Sequence, residues 1–160
     1  MEERLVKVGI THGDINGIGY EVILKTLSDT RIAELCTPVI YGSSKIAAYH
    51  RKVLELPAVN LSIIAQAEDA GANRVNIINC VDDETKVELC QSTTAAGEAA
   101  YLALEAAVTD LKRGAVDVLV TAPINKHNIQ NEQFHFPVTQ NIWNNVRWFG
   151  KKGIDDSDER

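Results

Sequence analysis

Two stretches of this sequence concentrate groups that could hold a ligand. The first runs Thr11-His12-Gly13-Asp14-Ile15-Asn16-Gly17-Ile18-Gly19 and sets a hydroxyl, an imidazole, a carboxylate and an amide among three glycines. Glycines let backbone N–H groups approach an anion closely, and a helix starting just after them would aim its N-terminal N–H groups the same way. The second runs Thr121-Ala122-Pro123-Ile124-Asn125-Lys126 and offers a hydroxyl, an amide and an ammonium group. Lys126 could serve a phosphorylated substrate as a point charge. Neither stretch is a standard nucleotide fingerprint: the first is not G-x-G-x-x-G, and there is no G-x-x-x-x-G-K-[ST]. Taken alone, the glycine loop reads as a tight structural turn ahead of a ligand cradle, and Lys126 as a solvated lysine.

The remaining chemically active residues are less suggestive. His12 could line a site or hold a structural hydrogen bond. His50 falls on a predicted helix among charged neighbours and reads as a surface residue. His127 and His135 are eight apart, which is not a metal-ligand spacing. Cys36, Cys80 and Cys90 are odd in number and lack a C-x-x-C arrangement, so they read as reduced, partly buried thiols.

The elements that would position these groups follow an alternating pattern. Leu5 to Ile10 reads as a buried strand leading into the glycine loop, and Tyr20 to Leu27 as a helix with Val22, Ile23 and Leu27 on its apolar stripe. Pro38 to Tyr41 is a second strand. Lys45 to Glu55 is a helix whose face of Ile46, Tyr49, Val53 and Leu54 would pack on a sheet, stopped by Leu56-Pro57. Leu61 to Ala65 and Arg74 to Cys80 are extended runs around a loop or short helical turn at 66–72. Thr93 to Lys112 is the longest helix, with Ser92 or Thr93 as N-cap and Tyr101, Leu104, Val108 and Leu111 on one stripe. Val116 to Val120 reads as a strongly buried parallel strand that delivers Thr121 to Lys126. Strands alternating with helices predict an α/β fold, a largely parallel sheet covered on both faces. In such sheets ligands bind beyond the carboxyl ends of strands, where both loops fall.

The bulk properties agree. With 45% apolar and 24% charged residues the composition is that of a globular chain. A net charge of -6 disfavours a nucleic-acid partner. No basic segment followed by an apolar run marks a signal peptide, and no run is long enough to span a bilayer, so a cytoplasmic location is expected.

Together the two loops resemble a known family. Thr11 to Glu21 is similar to the signature T-x-G-D-P-x-G-I-G-P-E of 4-hydroxythreonine-4-phosphate dehydrogenases. About one hundred residues later, Asp117 to Lys126 resembles that family's second block, D-A-[IL]-V-T-[AG]-P-[IV]-x-K. The likeness runs from about Lys7 to Pro137 and departs at Ile15 and Tyr20, where the family usually has prolines. The resemblance implies an isocitrate-dehydrogenase-like fold, incomplete here, and an enzyme of pyridoxal phosphate synthesis. Such enzymes oxidise the 3-hydroxyl of 4-phosphooxy-L-threonine with NAD, and the product then loses carbon dioxide. A related activity on a threonate or erythronate phosphate, or a non-catalytic phosphate-binding module, stands as the alternative. The resemblance further implies a homodimer and a divalent metal (Zn, Mg or Co) whose ligands lie beyond this chain. Asp14, Gly17, Gly19, Thr121, Asn125 and Lys126 are the residues expected to line the cofactor or substrate, with no single catalytic residue assigned.

The likeness breaks at Pro137. The family continues with Gly-His-Thr-Glu, whose His and Thr bind substrate; this chain reads Val138-Thr-Gln-Asn-Ile-Trp-Asn-Asn-Val146. Encoded as gtc aca cag aat att tgg aac aac gtt and preceded by one g, the same bases read ggt cac aca gaa tat ttg gaa caa cgt. That spells Gly-His-Thr-Glu-Tyr-Leu-Glu-Gln-Arg, and the single codon of Trp143 limits the freedom of the match. The expectation is a dehydrogenase portion over 1–137 and an out-of-frame, disordered tail over 138–160, giving an inactive fragment.

Overall fold

The structure, a computed structural model, describes residues 4–129; the expected tail lies outside them. Five strands form one parallel sheet in the order β3-β4-β2-β1-β5: β1 (Lys7–Thr11), β2 (Thr37–Gly42), β3 (Leu61–Ile64), β4 (Val75–Asn79) and β5 (Val118–Thr121). The helices are α1 (Gly19–Leu27), α2 (Arg31–Leu35), α3 (Ser44–Val53) and α4 (Thr94–Lys112). Every strand pairing is parallel, as the alternating sequence pattern predicts.

Side-chain alternation splits the core into two layers. Val39 and Tyr41 of β2 and Ile78 of β4 face α4, where they meet Ala103 and Ala107. Ile40 and Ile77 point the other way and pack on Ile23 and Leu27 of α1. At the carboxyl end of the sheet, Tyr20, Leu24, Ile46 and Ala99 draw α1, α3 and α4 together around Ile15.

Several expectations change in detail. On α1, Val22 is exposed, and Tyr20 and Leu24 take its place in the core. The apolar face of α3 is Ile46, Ala47 and His50; Tyr49, Val53 and Leu54 are exposed. His50 is therefore not a surface residue: it is 1% exposed, and its Nε2 donates to the Ile15 carbonyl at 2.7 Å. The face α4 presents to the sheet is chiefly alanine (Ala96, Ala99, Ala100, Ala103, Ala107), with Leu104 the one expected stripe residue fully buried. Small side chains let the helix lie close to the strands. Thr93 is its N-cap, accepting from the Ala96 N–H, and Gly114 follows its end in the left-handed region at φ +77°.

The strand expected to be strongly buried is the most exposed. Among the described residues β5 pairs only with β1, and Val118 and Val120 are 44% and 51% exposed. Its β-branched composition is that of an interior strand, but its position is at an edge. Helix α2 was not anticipated from the sequence. Cys36 and Cys80 are partly buried as expected, whereas Cys90 is exposed; all three are free thiols.

Candidate functional site

Thr11 ends β1 and Thr121 ends β5, and the register sets them side by side. The chain leaves both strands at the carboxyl edge of the sheet, so the two loops singled out by composition become neighbours. Two backbone hydrogen bonds join them: Ala122 N–H donates to Thr11 O at 3.1 Å, and Asp14 N–H to Pro123 O at 2.9 Å. β1 continues through α1 toward β2, while β5 is reached by a crossover from the far side of the sheet. Such a reversal of strand order is where open α/β sheets form a ligand crevice.

The glycines divide by cause. Gly13 sits at φ +66°, and a Cβ there would collide with Pro123 O and the Ala122 carbonyl. At Gly19 a Cβ would strike the His12 carbonyl. These two are glycine because the chain itself comes too close. Gly17 differs: a Cβ would meet nothing nearer than Asp14 O at 3.5 Å, and its φ is not positive. Packing does not demand glycine there, which leaves it open to a ligand's approach. Helix α1 begins at Gly19 with no side-chain cap, unlike α3 and α4, capped by Ser43 and Thr93. Its first N–H groups are thus not taken up by a capping side chain.

Around this opening, Asp14 is half-buried. One of its carboxylate oxygens accepts the Asn16 N–H at 3.0 Å, which fixes the carboxylate over the turn. Thr121 and Lys126 are exposed at the end of β5, and half-buried Asn125 accepts the His127 N–H at 2.9 Å. The six expected residues therefore lie on two contiguous loops at one edge. What they offer is a backbone turn, a carboxylate, a hydroxyl, an amide and one ammonium group.

Buried residues beneath the loops hold this arrangement. Asn16 is 2% exposed; its Nδ2 donates to Gln91 O at 3.0 Å and Thr93 Oγ1 at 3.1 Å. Its Oδ1 accepts the Glu88 N–H at 2.7 Å. The glycine loop is thereby tied to the N-cap of α4. His12, the possible site residue, is wholly buried between Tyr20 Oη and Ala99 O, both at 2.9 Å, so its role is structural. Burial pushes its pKa down to about 4, and the neighbouring His50 adds to the effect. His50 is likewise lowered, chiefly by burial. On α4, Gly97 is pressed against the Asn128 carbonyl, where no Cβ would fit.

No group of three or more His, Cys, Asp or Glu side chains able to hold a metal exists among the described residues. A cavity of about 880 Å³ opens at the opposite, amino end of the strands, lined by Arg4, Lys7, Thr37, Glu68 and Arg113. Its cations are already engaged. Arg4 pairs with Asp117, Arg113 with Glu68 and Asp110, and Lys7 Nζ donates to Ala67 O.

Comparison with known proteins supplies the family. Residues 34–147 match the family model described as pyridoxal phosphate biosynthetic protein PdxA. The 4-hydroxythreonine-4-phosphate dehydrogenase of Bacteroides thetaiotaomicron is 58% identical over 137 residues, 86% of this chain and 37% of that protein. The D-threonate 4-phosphate dehydrogenase of Cupriavidus necator is 29% identical over 86% of this chain and 41% of its own length. Among solved structures, a 4-hydroxythreonine-4-phosphate dehydrogenase from Burkholderia phymatum superposes with a TM-score of 0.70 at 27% identity, covering 79% of this chain and 39% of that one. The enzyme of that name from Klebsiella pneumoniae shares the fold, with a TM-score of 0.74 at 24% identity over 82% of this chain and 41% of its own. The chain spans about two fifths of the length of the curated relatives it matches. With a parallel sheet of the right fold and a family match over most of its residues, this chain belongs to the PdxA family.

Proposed function

We propose that this chain is the N-terminal part of an NAD-dependent dehydrogenase acting on 4-phosphooxy-L-threonine in pyridoxal phosphate synthesis. The 3-hydroxyl is oxidised and the resulting β-keto acid loses carbon dioxide. The observation that carries this reading is the joining of the two family-like loops by Asp14 and Pro123 at the carboxyl edge of β1 and β5.

Each expected residue has a role that fits its place. Lys126, exposed and flexible, meets the substrate phosphate as a point charge. Thr121 and Asn125 donate hydrogen bonds beside it. Gly17, the one loop glycine not demanded by packing, lets the backbone approach the cofactor, with Gly19 opening α1 behind it. Asp14 orients a ligand hydroxyl from the rim. NAD, when bound, takes the hydride. The described residues hold no group that fits a metal, and on this reading the metal's ligands belong to the rest of the family chain. A cytoplasmic homodimer is the assembly that goes with this reading.

The segment from Val138 is proposed to be read one base out of frame, which removes the Gly-His-Thr-Glu block and leaves this chain inactive. The family match runs on to residue 147, so the junction is decided by the DNA and not by the match. The substrate is tested with the frame-restored protein, by NADH formation on 4-phosphooxy-L-threonine and on D-threonate 4-phosphate. Identity of 58% against 29% favours the first. Preferred turnover of the second moves the chain to the sister activity. Phosphate binding with no redox turnover of either makes it a binding module.

A further inference from the structure

The ring of Tyr20 fills the space between two buried histidines. It meets His12 edge-on at 5.3 Å and stacks on His50 at 5.3 Å. Hydrogen bonding then dictates where the protons sit. A carbonyl only accepts, so His12 Nε2, 2.9 Å from Ala99 O, carries a hydrogen. In the neutral imidazole Nδ1 is bare, and it accepts the phenolic hydrogen of Tyr20 at 2.9 Å. The Ser43 N–H donates to the same Tyr20 Oη at 2.9 Å. The Ser43 carbonyl lies 3.2 Å from Oη and stands as a second acceptor for the same phenolic hydrogen.

These four contacts admit two complete arrangements. When His12 is neutral, the Tyr20 hydroxyl points to Nδ1. When Nδ1 gains a proton it becomes a donor to Oη, and the hydroxyl hydrogen turns to Ser43 O. Neither arrangement leaves a polar atom of the group unpaired, which is the condition for a buried network to survive a proton. Gly42 has to be glycine for the network to exist, because a Cβ there would strike Tyr20 Oη and come within 2.7 Å of His12 Nδ1.

We infer that Tyr20 is a positioning residue of the glycine loop, a two-state latch whose hydroxyl follows the proton on His12 and so keeps the loop's course in both states. The latch lies directly beneath the loop: His12 is part of it, and His50 holds its Ile15 carbonyl. The groups facing His12 are Tyr20 from α1 and His50 from α3, with Cys80 after β4 acting on Tyr20 and Glu21 of α1 acting on His50; α4 contributes the Ala99 carbonyl. Burial favours the neutral state at neutral pH.

Long-range 15N–1H spectra of the histidine side chains in the full chain, taken from neutral pH downward, test the latch. The expected result is His12 as the Nε2–H tautomer with a hydrogen-bonded Nδ1, followed on acidification by protonation with the Ser43 amide still protected from exchange. An Nδ1–H tautomer at neutral pH overturns the latch, as does loss of Ser43 protection in step with protonation. Tyr20→Phe keeps the ring and removes the hydroxyl. It is expected to speed exchange at the amides of Ser43, Asp14 and Gly17 about tenfold, with Ile77 and Ile78 unchanged. Unchanged rates at Asp14 and Gly17 reduce Tyr20 to a packing residue and contradict the inference. Should this variant fail to fold, the tautomer of the unaltered chain still decides.

Discussion

Asp14 donates its backbone N–H to the carbonyl oxygen of Pro123 at 2.9 Å, and with the Ala122–Thr11 bond beside it this makes a single edge of two loops about one hundred residues apart in sequence. Gly13, the residue before Asp14, permits the approach: it takes φ +66° and leaves no room for a Cβ against Pro123 O. Gly13→Ala therefore meets backbone strain and a collision at once. We expect a loss of at least about 2 kcal/mol, read as a lowered urea midpoint with unchanged slope. A midpoint equal to that of the unaltered chain would show that the loops part freely.

Gly97→Ala gives a test of opposite intuition. In a helix interior alanine is favoured over glycine by about 1 kcal/mol, yet here a Cβ would strike the Asn128 carbonyl. Thermal melts are expected to show Gly97→Ala less stable than the unaltered chain, because the 125–129 segment has to leave α4. A stabilised variant would mean that segment does not rest there in solution.

Asn16 is fully hydrogen-bonded and 2% exposed, so its truncation strands several groups at once. Asn16→Ala is expected to cost about 2–3 kcal/mol. Hydrogen exchange should quicken together at 13–19 and at 88–97, the two segments it joins. Faster exchange confined to the glycine loop would deny the tie to the N-cap of α4.

His12 makes stability depend on acidity. Its pKa in the fold is lowered to about 4 by burial, against 6.5 for the free imidazole. Below the higher value the unfolded chain binds a proton that the folded chain refuses, so stability is complete above it and falls as pH drops toward the lower one. The shift corresponds to about 3 kcal/mol at most, and His50, also lowered, acts in the same direction. Urea titrations at neutral and mildly acidic pH are expected to show this decline. A flat profile would contradict the buried, neutral His12.

Lys126→Ala separates function from fold. The side chain is exposed, so stability is expected to change by less than about 0.5 kcal/mol. In the frame-restored enzyme, kcat/KM for the phosphorylated substrate is expected to fall markedly, most of it in KM. Unchanged kinetics would remove Lys126 from the site.

The order of strands and helices was legible because each element carries its own period, and the two loops stood out by composition. What escaped was set by partners distant in sequence. His50 looked exposed beside Tyr49 and Arg51, although its spacing from Ile46 and Ala47 already placed it on their face. Tyr20 read as a lost proline, but it supplies the hydroxyl between His12 and Ser43. The alanine face of α4 was hidden because alanine gives little apolar contrast. β5 has the composition of an interior strand, and no local pattern tells that among the described residues it pairs with β1 alone.

The most direct measurement is resequencing of the source DNA across the codons for Phe134 to Val146. One additional base that restores Gly-His-Thr-Glu is the predicted result, and it would make this chain the front of a 4-hydroxythreonine-4-phosphate dehydrogenase followed by an out-of-frame tail. An unaltered reading, together with NAD-dependent turnover by the chain as it stands, would contradict the account.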